Sequence, residues 1–230
     1  MVDVPLDDAG HLRLVLDYLG KELEPSILIG GWATFARVAG DISRDIDLII
    51  GAPEVREKVR AALDEFSESS RLQGTKWRGE FEGVHVDVYI PHRSELGAKL
   101  RLRVEVLAEH TELFGDSGWR LLTIEAHTIS KLAALLDRPD SEKGLKDARE
   151  ILRLLELGVD PAQAAAILAS ATARPVDELP DHIATAFTLL GPRSGANKAQ
   201  RERIRRWRRE WVAATQQAIS PVDRGRPRLD

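Results

Sequence analysis

The stretch ILIGGWATFARVAGDISRDIDLII, residues 27–50, decides the fold prediction. Its apolar start predicts a short strand that ends at Gly30 and Gly31, because two glycines interrupt the pattern. Residues 32–39 then predict a short helix, and residues 45–50 predict a second strand. A strand, a glycine pair, a helix and a further strand in this order are typical of a mixed α/β fold.

Asp45 and Asp47 lie two residues apart in the predicted second strand. Residues two apart in a strand project to the same face, at a rise of about 3.3 Å per residue. Ile46 and Leu48 therefore point the other way, toward a core. Two carboxylates on one face repel each other unless a cation neutralises them, and hard oxygen ligands favour magnesium. We expect a metal site at Asp45 and Asp47.

A third carboxylate, Asp87, lies in another alternating strand over residues 84–90. Alternation places His85 and Tyr89 on its face, where we expect them to pack or to orient other groups. If this strand neighbours the strand over 45–50, the three carboxylates converge. Such a cluster binds two metal ions about 3.5–4 Å apart, which stabilise the attacking and leaving oxygens of a phosphoryl transfer.

Gly30 and Gly31 stand at the predicted start of a helix. The free N–H groups of a helix N-terminus favour anions, and residues without side chains leave room for a triphosphate. Arg44 directly precedes the first aspartate, where it either contacts a phosphate or pairs with Asp41. We expect the nucleotide to bind at this part of the chain.

These features together resemble the polymerase β-type nucleotidyltransferase superfamily: a strand ending in Gly-Gly, thirteen intervening residues, Asp-x-Asp on the next strand and a later single Asp. The resemblance implies that Asp45 and Asp47 bind magnesium and the nucleoside triphosphate. It also implies that Asp87 completes the metal site and helps to deprotonate the acceptor hydroxyl. A nucleoside triphosphate is then the substrate, and two magnesium ions are the cofactor.

A second block resembles the helical half of AbiEii/MenT-type toxins. It consists of LTIEAHTISKLAALLDR over 122–138 and KGLKDAREIL over 143–152. In those toxins a Lys-x-x-Ala-Leu-x-x-Arg helix precedes a helix that contains Lys-Asp. The resemblance implies that Lys131 contacts the nucleotide phosphates and acts in catalysis, and that Lys146 and Asp147 support the nucleotide site.

Trp32 occupies a position at which such toxins commonly carry Ser or Thr, whose hydroxyl binds phosphate. A Gly-Gly-Trp-Ala sequence is also similar to small-molecule nucleotidyltransferases, including enzymes that modify antibiotics. Thr34 and Ser43 are the two candidates to supply the hydroxyl instead.

The charge of the chain is distributed unevenly. Residues 193–209 include eight basic residues and one glutamate, a net charge of +7, whereas residues 1–192 carry −11. An acidic body with a basic segment indicates a polyanionic partner. Trp207 and Trp211 share one helix face, and we expect them to anchor this helix to the core. The arginines expected to contact RNA are Arg201, Arg205, Arg208 and Arg209. An acidic antitoxin is an alternative partner for the same surface.

The composition excludes several classes of protein. The chain has 230 residues and no cysteine, which excludes disulfide scaffolds, zinc ribbons, Fe–S clusters and thiol nucleophiles. No apolar run approaches the roughly 18 residues needed to cross a bilayer. Residues 1–5 lack the basic and apolar regions of a signal peptide. We expect a cytoplasmic protein without a membrane partner.

The helical and strand patterns change character near residue 118. We expect an α/β (α+β) fold, with a nucleotidyltransferase catalytic domain built on a small mixed sheet over 1–118 and an all-helical domain with a basic C-terminal helix over 119–230. The predicted helices are 7–24, 32–39, 54–66, 125–137, 143–157, 161–171, 177–190 and 198–217. The predicted strands are 26–29, 45–50, 75–82, 84–90 and 101–108. Residues 219–230 predict a frayed or disordered tail.

These observations together predict a magnesium-dependent nucleotidyltransferase. The toxin resemblance implies transfer of a nucleotide to the 3′ end of tRNA, which blocks aminoacylation and translation, and it implies a cognate antitoxin. Transfer to a small molecule such as an antibiotic, or to a protein, is one alternative. A non-catalytic domain that binds nucleic acid or an antitoxin is another, and the intact set of Asp45, Asp47 and Asp87 argues against it.

Overall fold

The computed structural model describes residues 8–23, 26–71, 74–114 and 119–220. It shows a mixed sheet followed by a helical C-terminal region, which confirms the α/β (α+β) prediction. The strands are β1 (Ser26–Ile29), β2 (Asp45–Ile49), β3 (Asp64–Arg71), β4 (Gly74–Phe81), β5 (Val84–Leu96), β6 (Leu102–Arg103), β7 (Thr111–Leu113) and β8 (Trp119–Leu122). The helices are α1 (Asp8–Glu22), α2 (Gly30–Val38), α3 (Pro53–Ala62), α4 (Val104–Ala108), α5 (Ile124–Asp137), α6 (Glu142–Glu156), α7 (Pro161–Ala171), α8 (Leu179–Arg193) and α9 (Lys198–Ile219), and a 3₁₀ turn covers Val176–Glu178. Within the described residues, none of the helices combines the length and apolar character that a bilayer crossing requires.

The sheet has the strand order β3-β4-β5-β2-β1-β8-β7, and β6 pairs with β5. β2 runs parallel to β5, with Asp47 opposite Asp87, and antiparallel to β1, with Asp47 opposite Ile29. β1 runs parallel to β8. The strands predicted over 45–50 and 84–90 are therefore neighbours, as the convergence of their carboxylates requires.

Each face of the sheet has its own hydrophobic core, because successive side chains point to opposite faces. Ile46 and Leu48 are fully buried in a core that also contains side chains of α1 and α3. Ile49 lies in the other core, with side chains of α4 to α9. Asp45 and Asp47 share the face of Ile49. The carboxylates therefore lie on the side of the sheet that the helical region covers.

α5 forms the centre of the helical region, since ten of its fourteen residues are buried. It packs against α6, α7 and α8, and α6 also packs against α2. Side-chain oxygens of Thr123, Ser141, Asp160 and Asn197 accept backbone N–H groups at the starts of α5, α6, α7 and α9. Contact between α6 and α2 brings the helical region to the glycine pair.

The helix predicted over 54–66 is too long. α3 ends at Ala62, and β3 begins at Asp64. The sequence of β3, DEFSESSR, contains one apolar residue and shows no strand alternation. Pairing with β4 supplies the backbone hydrogen bonds of β3. The neighbouring strand, and not the residue pattern of β3 itself, therefore determines its extended structure.

The strand predicted over 101–108 is wrong for most of its length. Leu102–Arg103 is extended, but α4 forms over Val104–Ala108. Val104 and Leu107, three residues apart, are both fully buried on one helix face. A short apolar segment of this kind is compatible with either a strand or a helix. Packing against the hydrophobic core determines that it forms a helix here.

β7 and β8 are strands that the sequence pattern does not predict. β8 pairs with β1, so the sheet continues four residues past residue 118. The core beneath it contains side chains from both predicted ranges, 1–118 and 119–230. The division into two domains stays a prediction.

The remaining predicted elements agree with the structure within a few residues, except that β5 continues six residues beyond the predicted end, to Leu96. α2 begins two residues earlier than predicted, at Gly30, and α8 includes Pro192 in its last turn. Of the predicted tail over 219–230, Ile219 still belongs to α9, and residues 221–230 lie outside the described part of the chain.

Trp211 is the anchor of α9 in the core, where it is 1% exposed and its ring centroid lies 5.5 Å from that of Phe187. Trp207 is only partly buried. We expect Trp211→Ala to lower the free energy of unfolding by about 3–5 kcal/mol, because it leaves a large cavity. We expect a smaller loss for Trp207→Ala. Urea unfolding of both variants tests this, and equal losses would contradict the anchoring role of Trp211.

Candidate active site

Four residues form a row across adjacent strands of the sheet. Gly30 directly follows Ile29, which pairs with Asp47 on β2. Asp47 is in register with Asp87 on β5, and Asp87 with Arg78 on β4. Neighbouring strands lie about 4.8 Å apart, so the row spans about 15 Å. It runs from a helix N-terminus through two carboxylates to a guanidinium group.

Close contacts on both sides require the two glycines. Gly30 has a φ of +67°, and a Cβ there would lie 2.2 Å from Oδ2 of Asp47. A Cβ on Gly31 would lie 2.6 Å from Cβ of Ser43. The backbone at the start of α2 therefore lies directly against a carboxylate and a serine, and a larger residue would displace one of them.

Ser43 is the candidate hydroxyl that lies beside the glycine pair. A Cβ on Gly31 would be 2.8 Å from Oγ of Ser43 and 3.3 Å from Nζ of Lys146. The hydroxyl of Thr34, by contrast, is buried and donates a 3.0 Å hydrogen bond to the carbonyl of Gly30. Of the two hydroxyls that the sequence offers, only that of Ser43 converges on Gly31 together with an ammonium group.

Asp47 bears uncompensated negative charge. Burial raises its pKa from 3.8 to about 6, and the carboxylates of Asp87 and Asp45 contribute to the rise, while Lys131 and Lys76 oppose it. Among the described residues none forms an ion pair with Asp47. A cation placed at this side chain would relieve the repulsion.

Both oxygens of Asp87 are engaged by cations of β4. Lys76 Nζ donates to Oδ2 at 2.7 Å, while Arg78 donates from Nε to Oδ1 at 2.9 Å and from Nη2 to Oδ2 at 3.3 Å. Burial acts to raise the pKa of Asp87, but the hydrogen bonds of Arg78 and Lys76 outweigh it and lower the pKa below 3.8. Asp87 is therefore ionised and neutralised by its neighbours.

Asp45 is paired with a lysine at the start of α6. Nζ of Lys143 lies 2.8 Å from Oδ2 of Asp45, and the lysine side chain is largely exposed. Each of the outer two carboxylates is thus held by cations of the protein itself, and the central one, Asp47, is not.

The donor set of Asp45, Asp47 and Asp87 suits a divalent cation in its chemistry. Carboxylate oxygens are hard ligands, and burial together with the neighbouring carboxylates raises the pKa of Asp47. In this conformation, no three acidic or histidine side chains of the described residues are grouped so as to hold a metal ion. In the same conformation Asp45 and Asp87 are held in ion pairs with Lys143, Lys76 and Arg78. The predicted two-ion site stays a prediction.

Lys131 lies in a buried network between α5 and α6. Its Nζ donates to Asp147 at 3.1 Å and to Glu150 at 2.6 Å, and Arg138 donates to the second oxygen of Asp147 at 2.7 and 2.9 Å. Burial acts to lower the pKa of Lys131, but the two carboxylates outweigh it and raise the pKa. Here the ammonium group contacts carboxylates. The predicted contact of Lys131 with phosphate, and the supporting role of Asp147, stay predictions.

The structure answers whether Arg44 pairs with Asp41, which the sequence leaves open. Asp41 pairs with Arg149 of α6 at 2.6 Å, so it is not the partner of Arg44. Arg44 is exposed and has no ion pair with another described residue. His85 is paired with Glu80 at 3.1 Å and is a neighbour of the carboxylate row. The guanidinium of Arg44 remains available for a ligand.

The four arginines predicted to contact RNA are exposed on α9, which packs against α7 and α8. Arg205 pairs with Glu202 at 2.5 Å, and Arg201 and Arg208 donate to backbone carbonyls. Arg209 makes no such bond with a described residue. Their side chains face solvent, and their contact with RNA stays a prediction.

The sequence analysis does not predict three cations of the site, namely Lys76, Arg78 and Lys143. The position of Arg78 opposite Asp87 could have been predicted from the sequence. The turn at Glu82-Gly83 has two residues, both with positive φ, and a two-residue hairpin turn fixes the register of its strands. Counting back from that turn places Arg78 opposite Asp87, as observed. Lys143 reaches the site because α6 packs beside it, and the local sequence pattern does not predict how that helix packs.

Comparison with known proteins identifies no family. No family model matches the chain, and no curated protein matches it. Among solved structures it is similar to an antigenic nucleotidyltransferase-like protein from Paracoccidioides brasiliensis, with 18% identity, a TM-score of 0.41 and coverage of 76% of this chain and 91% of that one. It is similar to ANT(2″)-Ia in complex with adenylyl-2″-tobramycin, with 16% identity, a TM-score of 0.44 and coverage of 70% and 95%. The CCA-adding enzyme of Thermotoga maritima complexed with tRNA shows 10% identity, a TM-score of 0.32 and coverage of 92% and 72%. At these identities and TM-scores the similarity determines neither family nor function.

Gly30→Ala tests the close approach of α2 to Asp47. The new Cβ meets the Asp47 carboxylate and also forces alanine into positive φ, so we expect a loss of about 2–5 kcal/mol in the free energy of unfolding. Gly83→Ala is the matched control, because Gly83 has a φ of +75° and no atom within 4 Å of its Cβ position. It carries the backbone cost alone, about 1–2 kcal/mol. Equal losses in urea unfolding would show that Asp47 does not crowd Gly30.

Asp47→Asn is expected to stabilise the ligand-free protein at neutral pH. Above a pH of about 6 the carboxylate is charged in both the folded and the unfolded chain, and the folded state bears the whole cost of the raised pKa. Below 3.8 it is protonated in both, and the cost is absent. We therefore expect the variant to gain about 1–3 kcal/mol at pH 7.5 and to lose this advantage between pH 6 and 4.

Thermal unfolding across this pH range measures the effect of Asp47→Asn. Asp17→Asn, at an exposed carboxylate of α1, is the control for loss of one negative charge. A pH-independent difference between Asp47→Asn and the native chain would contradict the raised pKa.

Proposed function

We propose that this protein is a nucleotidyltransferase, which transfers a nucleoside monophosphate from a nucleoside triphosphate to a hydroxyl group of an acceptor. The observation that carries the proposal is the position of Asp47, between the helix start at Gly30 and the carboxylate of Asp87. An anion-binding helix start beside a set of carboxylates suits phosphoryl transfer, in which catalysis is mostly positioning and charge neutralisation.

The start of α2 would bind the phosphates of the nucleotide. No side chain caps this helix at Ile29, so the N–H groups of its first turn are left for a ligand. Ser43 would donate a hydrogen bond and Lys146 would supply a positive charge at the same point, beside Gly31. The exposed guanidinium of Arg44 would contact the phosphates from the loop that leads into β2.

Asp45 and Asp47 would hold a divalent cation, which we propose is Mg²⁺, and Asp87 would complete its ligands. Such ions, when bound, stabilise the charge of the reacting phosphate and of the departing pyrophosphate. The acceptor oxygen forms the new bond to the α-phosphorus while the bond to pyrophosphate breaks, and a carboxylate oxygen of Asp87 takes the acceptor proton.

The Lys131 network would position the basic end of α6. Lys131 ties α5 to α6 through Asp147 and Glu150, and the preceding turn of α6 carries Lys143 and Lys146 to the carboxylates and the glycine pair. A change in the network is therefore expected to reach the nucleotide site even if Lys131 itself touches no phosphate.

We propose the 3′ end of tRNA as the acceptor, so that transfer blocks aminoacylation and translation and makes the protein a toxin held in check by an antitoxin. The basic surface of α9 supports this acceptor. Arg203 of α9 pairs with Glu156 at the last residue of α6, whereas Lys143 lies at the first turn. These two positions are about 20 Å apart along the helix, at 1.5 Å per residue. A folded RNA is long enough to span this distance, whereas a small molecule is not.

Incubation of the purified protein with Mg²⁺, total tRNA and each α-labelled nucleoside triphosphate in turn tests the proposal. We expect label to enter tRNA with the native chain and to be lost with Asp45→Asn, which preserves the shape of the side chain and removes its charge. Label that enters tRNA equally in both would contradict catalysis by the carboxylates. A growth defect caused equally by both chains would favour the non-catalytic binding module.

The basic surface is tested in the same assay. Arg205→Gln, Arg208→Gln and Arg209→Gln combined are expected to raise KM for tRNA and reduce its salt dependence, while KM for the nucleotide stays unchanged. The control replaces Arg13, Arg56 and Arg60 of α1 and α3, which removes the same charge from the other side of the sheet. An unchanged KM for tRNA in the α9 variant would favour a small-molecule or protein acceptor.

A further inference from the structure

We propose that Arg78 and Lys76 form a clamp on Asp87, meaning a pair of cations that hold its carboxylate until a divalent cation displaces them. The displaced clamp then binds an anionic group of the acceptor. The inference rests on the proposed function and deepens it. The geometry alone sets the clamp apart from the nucleotide site: in the row across the sheet, Asp87 lies between Asp47 and Arg78, whereas the glycine pair lies on the opposite side of Asp47.

The protein's own cations occupy two of the three carboxylates in the ligand-free site. The carboxylates of Asp45 and Asp87 are neutralised by three cations, and both oxygens of Asp87 already accept hydrogen bonds. A divalent cation that approached Asp87 would meet a guanidinium and an ammonium group at contact distance, and like charges repel at this range. The carboxylate can therefore bind either its two cations or a metal ion.

Arg78 is the partner that can leave. Its side chain is 58% exposed, whereas that of Lys76 is 26% exposed. Lys76 also lies over the ring of Tyr89, with Nζ 5.5 Å from the centroid, so it has a second favourable contact when the carboxylate is taken. Because most of its side chain already lies in solvent, the guanidinium of Arg78 stays hydrated when a metal ion takes the carboxylate.

The position of the clamp assigns it to the acceptor side. With the triphosphate at the start of α2, the far side of Asp87 is where the attacking hydroxyl enters. Arg78, released there, presents a guanidinium fork that suits a phosphate group next to the attacking hydroxyl. The clamp would therefore favour a polyanionic acceptor such as RNA and disfavour a cationic small molecule.

Mn²⁺ binding to the ligand-free protein, followed by electron paramagnetic resonance, tests the exchange at Asp87 without any reaction. We expect Arg78→Gln to bind Mn²⁺ about two- to fivefold more tightly than the native chain, because an exposed competing charge is removed. Arg93→Gln is the matched control, since Arg93 is a similarly exposed arginine that pairs with a different carboxylate of the same sheet, that of Glu68. In Asp87→Asn the effect of Arg78→Gln is expected to disappear.

The same variant has the opposite effect on the acceptor. In the transfer assay, Arg78→Gln is expected to raise KM for tRNA and leave KM for the nucleotide unchanged. An arginine that serves only the stability of the hairpin would not produce tighter Mn²⁺ binding together with weaker acceptor binding.

Two results overturn the inference. One is Mn²⁺ binding by Arg78→Gln that is no tighter than that of the native chain and of Arg93→Gln, including the case in which none of them binds Mn²⁺. The other is a gain in Mn²⁺ affinity with KM for tRNA unchanged, which leaves no acceptor role for Arg78. Tighter Mn²⁺ binding without transfer to any acceptor would confirm the exchange at Asp87, overturn its acceptor part and refute the proposed function.

Discussion

Negative charge gathered on one face of the sheet is the constraint on which the rest of the structure depends. The register of β2 with β5 sets Asp47 opposite Asp87, and no slip of either strand separates them without moving a core residue. The protein responds with cations from two directions, Lys76 and Arg78 from β4 and Lys143 from α6. Asp47 has no ion-pair partner among the described residues, and burial and the neighbouring carboxylates raise its pKa. Folding thus retains an unfavourable interaction at the point where a ligand would remove it, as functional sites commonly do.

The two hydrophobic cores hold this charged face in place. Ile46 and Leu48 fill the core under α1 and α3, so a shift of β2 by one residue would bury carboxylates there. On the other face of the sheet α6 packs beside the site. The ion pairs of Lys131 on α5 with Asp147 and Glu150 hold α6 in this position. Removing a partner from such a buried network leaves an uncompensated charge, which is why these residues are sensitive positions even without contact to substrate.

Local pattern predicts the parts of this fold in which each segment shows its own periodicity. The alternation of β2 and β5 and the helical spacing of α5 to α9 are of this kind, and so are the aspartates and glycines, whose residue types and spacing carry their chemistry. β3, α4 and β8 could not be predicted, because their partners in the fold determine them. The cations of the site fall between these cases. Arg78 follows from a turn length, whereas Lys143 depends on how α6 packs, which the sequence does not state.

The turn at Glu82-Gly83 has a consequence for how this chain can vary. The carboxylate row lies three residue pairs along the hairpin from the turn, yet the number of residues in the turn decides which side chain of β4 stands opposite Asp87. One inserted residue would place Trp77 or Gly79 there and turn Arg78 to the opposite face of the sheet. Insertions and deletions in the loop therefore alter the site, whereas substitutions that keep positive φ at both positions leave the register unchanged. The number of residues in the loop is therefore a functional requirement, although no atom of the loop takes part in the chemistry.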